Sequence, residues 1–512
     1  MSLRVHSNIN ALHQASKTDL ARIRMLQKGE AYQNDPSLLL YQGETDEIGK
    51  PLIPAPSLFT SLYSKTEEDS LSPKQDLPTV AQCAAHLELL EVFHELREKI
   101  VNSEALDDAF GVRVIRNIVY RKKYDTKTKK YIFAPTQLRD DTFQNRRREK
   151  WSYYLSIAVE RFKIWIQKAD KTASDRKRFL SSSTEVILPC LPPIDVLIVW
   201  HAFLLNPVDF DIYCRVHELK VIRQVKFPWV QIHNAIDSED WTYNLPAESK
   251  VWTTEVANME PDLYHYLEVV NTISNPISGV LTKYGDKNIP IGSLWDYLES
   301  ADLTQREKLF LDLILNIQID NRKSQSLIEN AQRQATFVDK MHDHLWIYSP
   351  AIEGTLRRSL DRYHKFLKLF QLHPSKMLVP TLDIDLVWHT HQCSAAYYEE
   401  SMLKHTGRYI NYDDKIGQQT LHRGMDETKQ LFRIRFGRDY SPCLCWDCET
   451  ILSALEKLEE EDDLFQVGSM EPQAKHVQSY VQYYRATELA RRRLLTRTRK
   501  EIAGDFRFVI CC

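Results

Sequence analysis

The stretch Pro380-Thr-Leu-Asp383-Ile-Asp385-Leu-Val-Trp388-His389-Thr-His391-Gln392 gathers three kinds of functional side chain: acids, an aromatic and histidines. Upstream, Pro192-Pro-Ile-Asp195-Val-Leu-Ile-Val-Trp200-His201-Ala-Phe203 repeats its frame. In both, Asp follows the first Pro by three residues, Trp follows Asp by five, and His follows Trp directly. Residue types held at fixed offsets, about 190 positions apart, imply an internal duplication.

Two readings fit this element. In the first it is architecture. Pro-x-x-Asp before an apolar run is a helix start, with Asp195 and Asp383 accepting backbone amides as N-caps. Trp200 and Trp388 then fill the core, and His201 and His389 bond inside a helix junction. The second reading rests on what only the downstream copy carries: Asp385 and His391 stand where the upstream copy has Leu197 and Phe203. Asp385 and His389, four apart, share a helix face and can reach one metal ion. His389 and His391 lie roughly 200° apart on a regular helix, so His391 joins only if the helix ends there. Asp413 and Asp414 follow as oxygen ligands. The rival expectation is therefore a divalent metal, zinc or another, held by Asp385, His389, His391, Asp413 and Asp414, in a metal-dependent enzyme or a metal-binding protein.

The chain of 512 residues exceeds one ordinary core. It has only 14 Gly against 24 Tyr and 10 Trp, which favours helices over a turn-rich sandwich. The expected fold is mainly α. It comprises an N-terminal arm with a Pro-rich linker (1–78), a first helical unit (79–235) and a connecting helical region (236–330). A second helical unit (331–450) and charged C-terminal helices (451–512) complete it. Apolar residues recur at helical spacing from Val80 to Ile100, Trp151 to Ile166 and Ala351 to Leu372.

A net charge of −3 gives no bulk attraction to nucleic acid or membrane. The N-terminus has no apolar core segment, so no secretory signal is expected. The most apolar run, Ile194 to Leu205, is too short to span a bilayer. Nine cysteines, an odd number thinly spread, point to a reducing compartment, cytoplasm or nucleus. No G-x-G-x-x-G, G-x-x-x-x-G-K-[ST] or G-x-S-x-G motif occurs.

Long motifs carry a family resemblance: Ala85-His-Leu-Glu-Leu-Leu-Glu-Val-Phe93, Leu191-Pro-Pro-Ile-Asp-Val-Leu-Ile-Val-Trp-His201, the stretch from Val379 to Gln392, and Cys443-x-Cys-Trp-Asp-Cys448. Across roughly 80 to 450 the chain resembles the glycine-rich domain-containing protein family, in its fungal form. The resemblance implies an intracellular helical protein with no established enzymatic activity; plant members are associated with stress and developmental responses, and some are proposed to bind RNA. The chain departs from the family twice. It lacks the glycine-rich tail, and it reads Tyr412-Asp413-Asp414 where relatives often have His-Asp-Asp, which removes one metal ligand.

Three further features stand out. Cys443, Cys445 and Cys448 suit zinc if a histidine such as His422 supplies a fourth ligand; reduced core thiols in a tight turn, or a redox pair, fit the same spacing. Between Val112 and Lys150 there is an excess of nine basic residues. There Arg121, Lys122, Lys123, Arg146, Arg147 and Arg148 alternate with aromatic residues, a pattern suited to single-stranded RNA and equally to a solvated insert. Finally, Cys511-Cys512 follows an arginine-rich segment, where lipid attachment to a membrane or chance both explain it. The function expected from these features is a non-catalytic interaction or scaffold protein of regulatory type with protein partners.

Overall fold

In the computed structural model, the described residues are 52–63, 77–127, 129–179, 186, 188–272, 303–319, 321–411, 417–460, 481 and 484. Most of the N-terminal arm, the Ser181–Thr184 loop, Tyr412, Asp413, Asp414, the basic segment after Glu460 and Cys511-Cys512 lie outside them.

Helices dominate. In chain order they include α1 (Val80–Asn102), α2 (Glu104–Ala109), α3 (Phe143–Phe179), α4 (Ile194–Leu204), α5 (Pro207–Val216), α6 (Trp229–Ala235) and α7 (Ala247–Glu255). There follow α8 (Leu263–Thr272), α9 (Gln305–Ile319), α10 (Asn321–His344), α11 (Ile352–Leu372), α12 (Leu382–Gln392), α13 (Ala395–Thr406), α14 (Gln418–Phe436) and α15 (Trp446–Glu460). Among the described residues the basic insert is the main exception, beside a short pairing of Ile236–Asp237 with Thr242–Tyr243. The insert forms an antiparallel hairpin of β1 (Asn117–Asp125) and β2 (Lys130–Leu138), paired from Asn117–Leu138 to Asp125–Lys130. Its charge suggests a solvated segment, but Ile118-Val-Tyr and Tyr131-Ile-Phe are strand formers on either side of a polar turn.

The chain divides into two units. One holds the described residues within Met1–Glu91, Phe227–Thr242 and Asp339–Cys512; the other is Val92–Lys226 with Tyr243–Val338. Helices α1 and α10 each contribute to both.

In the second of these units, α3 packs along α4, and α8 and α9 pack on α2 and α3. Asp195 is the second residue of α4, whose N-cap position is taken by Pro193. This differs from the N-cap expected for it. Instead the Arg161 guanidinium, from the middle of α3, donates Nε to Asp195 Oδ2 at 2.6 Å and Nη2 to the Glu260 carbonyl at 2.6 Å. Arg161 is 2% exposed and Asp195 is fully buried. With solvent excluded, the pair lies in a low-dielectric setting where a charge-assisted bond is strong and an uncompensated charge is costly. Beside it, Trp165 packs on Trp200 with centroids 5.4 Å apart. Phe162 meets Phe203 edge-on at 6.1 Å, and Phe203 meets Phe210 at 5.3 Å.

The other unit contains the same pattern at matched positions. Arg362, in α11, donates Nε to Asp383 Oδ2 at 2.5 Å and Nη2 to the Tyr440 carbonyl at 2.7 Å. Asp383 is likewise the second residue of its helix, whose N-cap position is taken by Thr381. Phe366 packs on Trp388 at 5.7 Å. Tyr363 takes the place of Phe162, and His391 that of Phe203. Their rings keep the edge-on arrangement at 5.9 Å while Tyr363 Oη and His391 Nδ1 share a hydrogen bond of 2.9 Å. His391 then meets Tyr398 edge-on at 5.0 Å, as Phe203 meets Phe210.

The Arg–Asp pairs make a direct test. Asp195→Ala leaves a buried guanidinium, and it is expected to cost about 3–5 kcal/mol in urea denaturation. Replacing both partners by apolar residues of similar volume, Arg161→Met with Asp195→Leu, is expected to cost much less, because no charge is stranded. A smaller loss for Asp195→Ala than for the double replacement would contradict the arrangement.

Candidate functional site

Helix α12 carries the downstream motif. Its apolar residues Ile384, Leu386, Val387 and Trp388 are buried, and so are Asp383, His389, Thr390, His391 and Gln392. Asp385 and His389 meet one turn apart, with Oδ1 and Nε2 3.4 Å from each other. His389 is 1% exposed, and Asp385 is half-buried at the helix edge. His391 is directed elsewhere: its Nδ1 is engaged by Tyr363 within the core. Asp413 and Asp414 lie outside the described residues. Thus Asp385 and His389 are brought together, while His391 is held in a different set of contacts. Trp388 Nε1 donates to Tyr398 Oη at 2.9 Å, and that hydroxyl donates to the Ile410 carbonyl at 2.8 Å. Thr390 Oγ1 donates to the Leu386 carbonyl and lies 2.8 Å from His86 Nδ1 of α1.

Burial pushes the His391 imidazole down to about 3, with the nearby His405 adding to the effect. His201, at the matching site beside Trp200, is pushed down to about 3 by burial alone. Both rings are therefore neutral near pH 7. A neutral buried imidazole is able to ligate metal, but His391 has its Nδ1 committed to a tyrosine.

Arg161 and Arg362 are the residues that motif reading does not find. The signal was present: Arg161-Phe-x-x-Trp165 and Arg362-Tyr-x-x-Phe366 precede the two motifs. They are separated from their aspartates by loops of unequal length, so no fixed spacing links Arg to Asp.

The thiols converge. Sγ atoms of Cys443, Cys445 and Cys448 lie within 4.8 Å of one another, and among the described residues this is the group of three or more His, Cys, Asp or Glu ligands that comes together. Cys443 is exposed, Cys445 half-buried and Cys448 buried. The hydrogen bond with Cys445 and burial push the Cys448 thiol up; burial leads the upward shift at Cys443. Of the histidines, His422 is exposed on α14. His344, at the end of α10, is linked to this loop: Trp446 Nε1 donates to its carbonyl at 2.8 Å.

The basic residues separate into two roles. Arg146 pairs with Asp140 at 2.6 Å and holds that carboxyl well below the usual range, and it also donates to the Arg113 carbonyl. Arg147 Nε donates to Asp107 at 2.8 Å, and Nη2 to the Asn102 carbonyl. Lys150 is buried against the same Asp107 and the Ser103 carbonyl. These cations fasten the start of α3 to α2 and to the hairpin base. Arg148, Arg121, Lys122 and Lys123 are exposed. Cross-strand partners share a sheet face, so the register puts Ile118, Tyr120, Lys122, Tyr124, Tyr131 and Phe133 on one side. Tyr120 is 67% and Phe133 70% exposed. Tyr124 and Tyr131 meet edge-on at 5.2 Å, and Lys122 Nζ stands 4.8 Å over the Tyr131 ring.

No single helix among the described residues is long and apolar enough to cross a membrane. A family model described as glycine-rich domain-containing protein-like matches residues 296–401, which include α12 and its motif. Glycine-rich domain-containing protein 2 of Arabidopsis thaliana is 24% identical over 275 residues, 51% of this chain and 28% of that protein. Glycine-rich domain-containing protein 1 of the same plant is 23% identical over 308 residues, 57% of this chain and 30% of that protein. The match thus spans less than a third of either relative's length. No solved structure matches the chain. Residues 296–401 thus match the glycine-rich domain-containing protein-like family model, and the chain is similar to these two relatives at low identity.

Proposed function

We propose that the chain is a non-catalytic intracellular interaction protein of regulatory type, built from two related helical units that arose by duplication. One observation carries this reading: the polar side chains of Asp383, Trp388 and His391 bond within the protein and hold the motif in place. Asp383 is bound by Arg362, Trp388 by Tyr398, and His391 by Tyr363. Catalysis needs groups that a substrate can reach, and His389 and His391 are 1% and 5% exposed. The matched pair Phe162–Phe203 supports the same view, since those two positions carry no titratable group.

The metal-enzyme alternative is tested on Asp385 and His389. Asp385→Ala and His389→Ala are expected to change melting temperature alone, with the metal content of the purified protein unaltered. A divalent ion whose retention falls with either substitution overturns the non-catalytic reading.

The core histidines also set an acid limit. A buried His that stays neutral favours the folded state fully above pH 6.5, the ordinary value, and that contribution is lost progressively as pH falls toward 3. The unfolded chain takes up the proton first, so stability drops by up to about 1.4 kcal/mol per pH unit for each such His. Tyr363→Phe with His391→Phe, which copies the Phe162–Phe203 pair, is expected to flatten this slope between pH 6.5 and 5. Urea midpoints measured across that range decide it; an unchanged slope would remove His391 as a source.

A second reading has its own support, in the aromatic face of the hairpin. Exposed rings that stack on bases, flanked by lysines that meet phosphates, suit single-stranded RNA. Tyr120→Ala with Phe133→Ala is expected to weaken binding of a labelled oligoribonucleotide by tenfold or more in fluorescence anisotropy. Charge reversal at Arg121 and Lys123 is expected to weaken it and to reduce its salt dependence. Neither change reaches the core, so melting should stay constant. Retention at background in the unaltered protein ends the RNA reading and leaves protein partners as the ligands.

A further inference from the structure

The three thiols at the start of α15 belong to none of the motif contacts. Cys443 and Cys445 flank Leu444, whose φ of 57° puts it in the left-handed region. An L-residue with a branched side chain adopts that conformation only when its surroundings hold it there. Here the turn brings the sulfurs on either side of Leu444 together with that of Cys448. The Glu449 amide donates to the Cys445 carbonyl at 3.0 Å, which opens the helix and sets Cys445 and Cys448 in its first turn.

Two indoles tie the loop to the end of α10. Trp446 Nε1 donates to the His344 carbonyl at 2.8 Å, and Trp346 Nε1 donates to the Leu444 carbonyl at 3.2 Å. Both tryptophans are buried. The His344 ring stands 5.2 Å from that of Trp346. That imidazole interacts electrostatically with Cys445, while its nitrogens lie outside the trio of ligand atoms within 4.8 Å of one another. In a tetrahedral site with Zn–S bonds near 2.3 Å, sulfurs stand about 3.8 Å apart; a cluster within 4.8 Å reaches that spacing by side-chain rotation.

We propose that Cys443, Cys445 and Cys448 bind one zinc ion, with His344 as the fourth ligand, in a closed structural site that fastens the first turn of α15 to the end of α10. Three soft thiolates and one imidazole form a donor set that selects zinc over hard cations. Each thiol gives up its proton on loading, so binding releases protons to the buffer. The site would hold α15 where it is used. Arg358 of α11 grips Glu449 at 2.5 Å and Glu456 at 2.8 Å, and Thr355 donates to Glu449 at 3.0 Å. Gly354 lies so close to α15 that a Cβ there would overlap the Ser453 side chain.

Cobalt(II) titration of the reduced full-length chain tests the assignment. The expected result is one tight equivalent with a thiolate-to-cobalt charge-transfer band and the visible bands of a tetrahedral ion, both removed by zinc. Replacing Cys443, Cys445 and Cys448 together by Ser should abolish these bands, and Cys445→Ser alone should weaken affinity at least 100-fold. His344→Gln should shift the visible bands and weaken affinity about tenfold, while keeping the thiolate band. The unaltered chain answers independently of whether the variants fold: absence of a stoichiometric thiolate–cobalt band in fully reduced protein overturns the proposal. Persistence of the band in the triple Ser variant overturns it as well, since another set of cysteines would then hold the ion. An unchanged spectrum in folded His344→Gln removes His344 from the ligand set.

Discussion

A guanidinium–carboxylate bond organises each unit, fully buried at Arg161–Asp195 and part-buried at Arg362–Asp383. Arg161 and Arg362 project from long helices into the first turn of a short apolar helix, where Asp195 and Asp383 wait. Each arginine uses its planar fork twice, once on the carboxylate and once on a backbone carbonyl further along the chain. Lysine, a single point of charge, cannot make both contacts in that geometry. The bond fixes the short helix in depth and rotation, and the aromatic contacts then follow. Trp200 and Trp388 meet the rings at 165 and 366, and positions 203 and 391 meet those at 162 and 363.

The comparison of matched positions shows how a polar pair can serve an apolar purpose. Phe162 with Phe203, and Tyr363 with His391, have nearly the same ring geometry. The second pair adds three polar atoms, of which Tyr363 Oη and His391 Nδ1 satisfy one another, while His391 Nε2 is buried without a hydrogen-bond partner among the described residues. An apolar environment tolerates the bonded two because the hydrogen bond compensates their loss of water. Asp385 is the other departure of the downstream motif. It sits half-buried beside His389 rather than in the deep core, and its counterpart Leu197 is buried.

Much of this was legible beforehand. Apolar spacing located α1, α11 and the core of α3, and the Pro-x-x-Asp-x-x-x-x-Trp-His frame marked the starts of α4 and α12. The role of the aspartates was misread, because a capping bond is local and can be inferred from sequence, whereas Arg161 lies 34 residues from Asp195 and Arg362 lies 21 from Asp383. The hairpin was obscured by its charge: strand alternation in Ile118-Val-Tyr-Arg-Lys-Lys-Tyr is present, but lysines and arginines occupy both faces. In the thiol loop the spacing announced a cluster, while the histidine beside it comes from 102 residues upstream of Trp446. In each case the contact that matters joins segments whose separation in the chain carries no pattern.

The central claim is that these motifs are structural because Arg and Asp hold them. A double-mutant cycle on Arg362 and Asp383, with urea unfolding as the readout, measures that bond most directly. A coupling energy of about 1–3 kcal/mol, of the kind found between residues in contact, is the expected result, with a cycle on Arg161 and Asp195 giving a value of the same size. Additive single effects, with coupling near zero in both cycles, would contradict it.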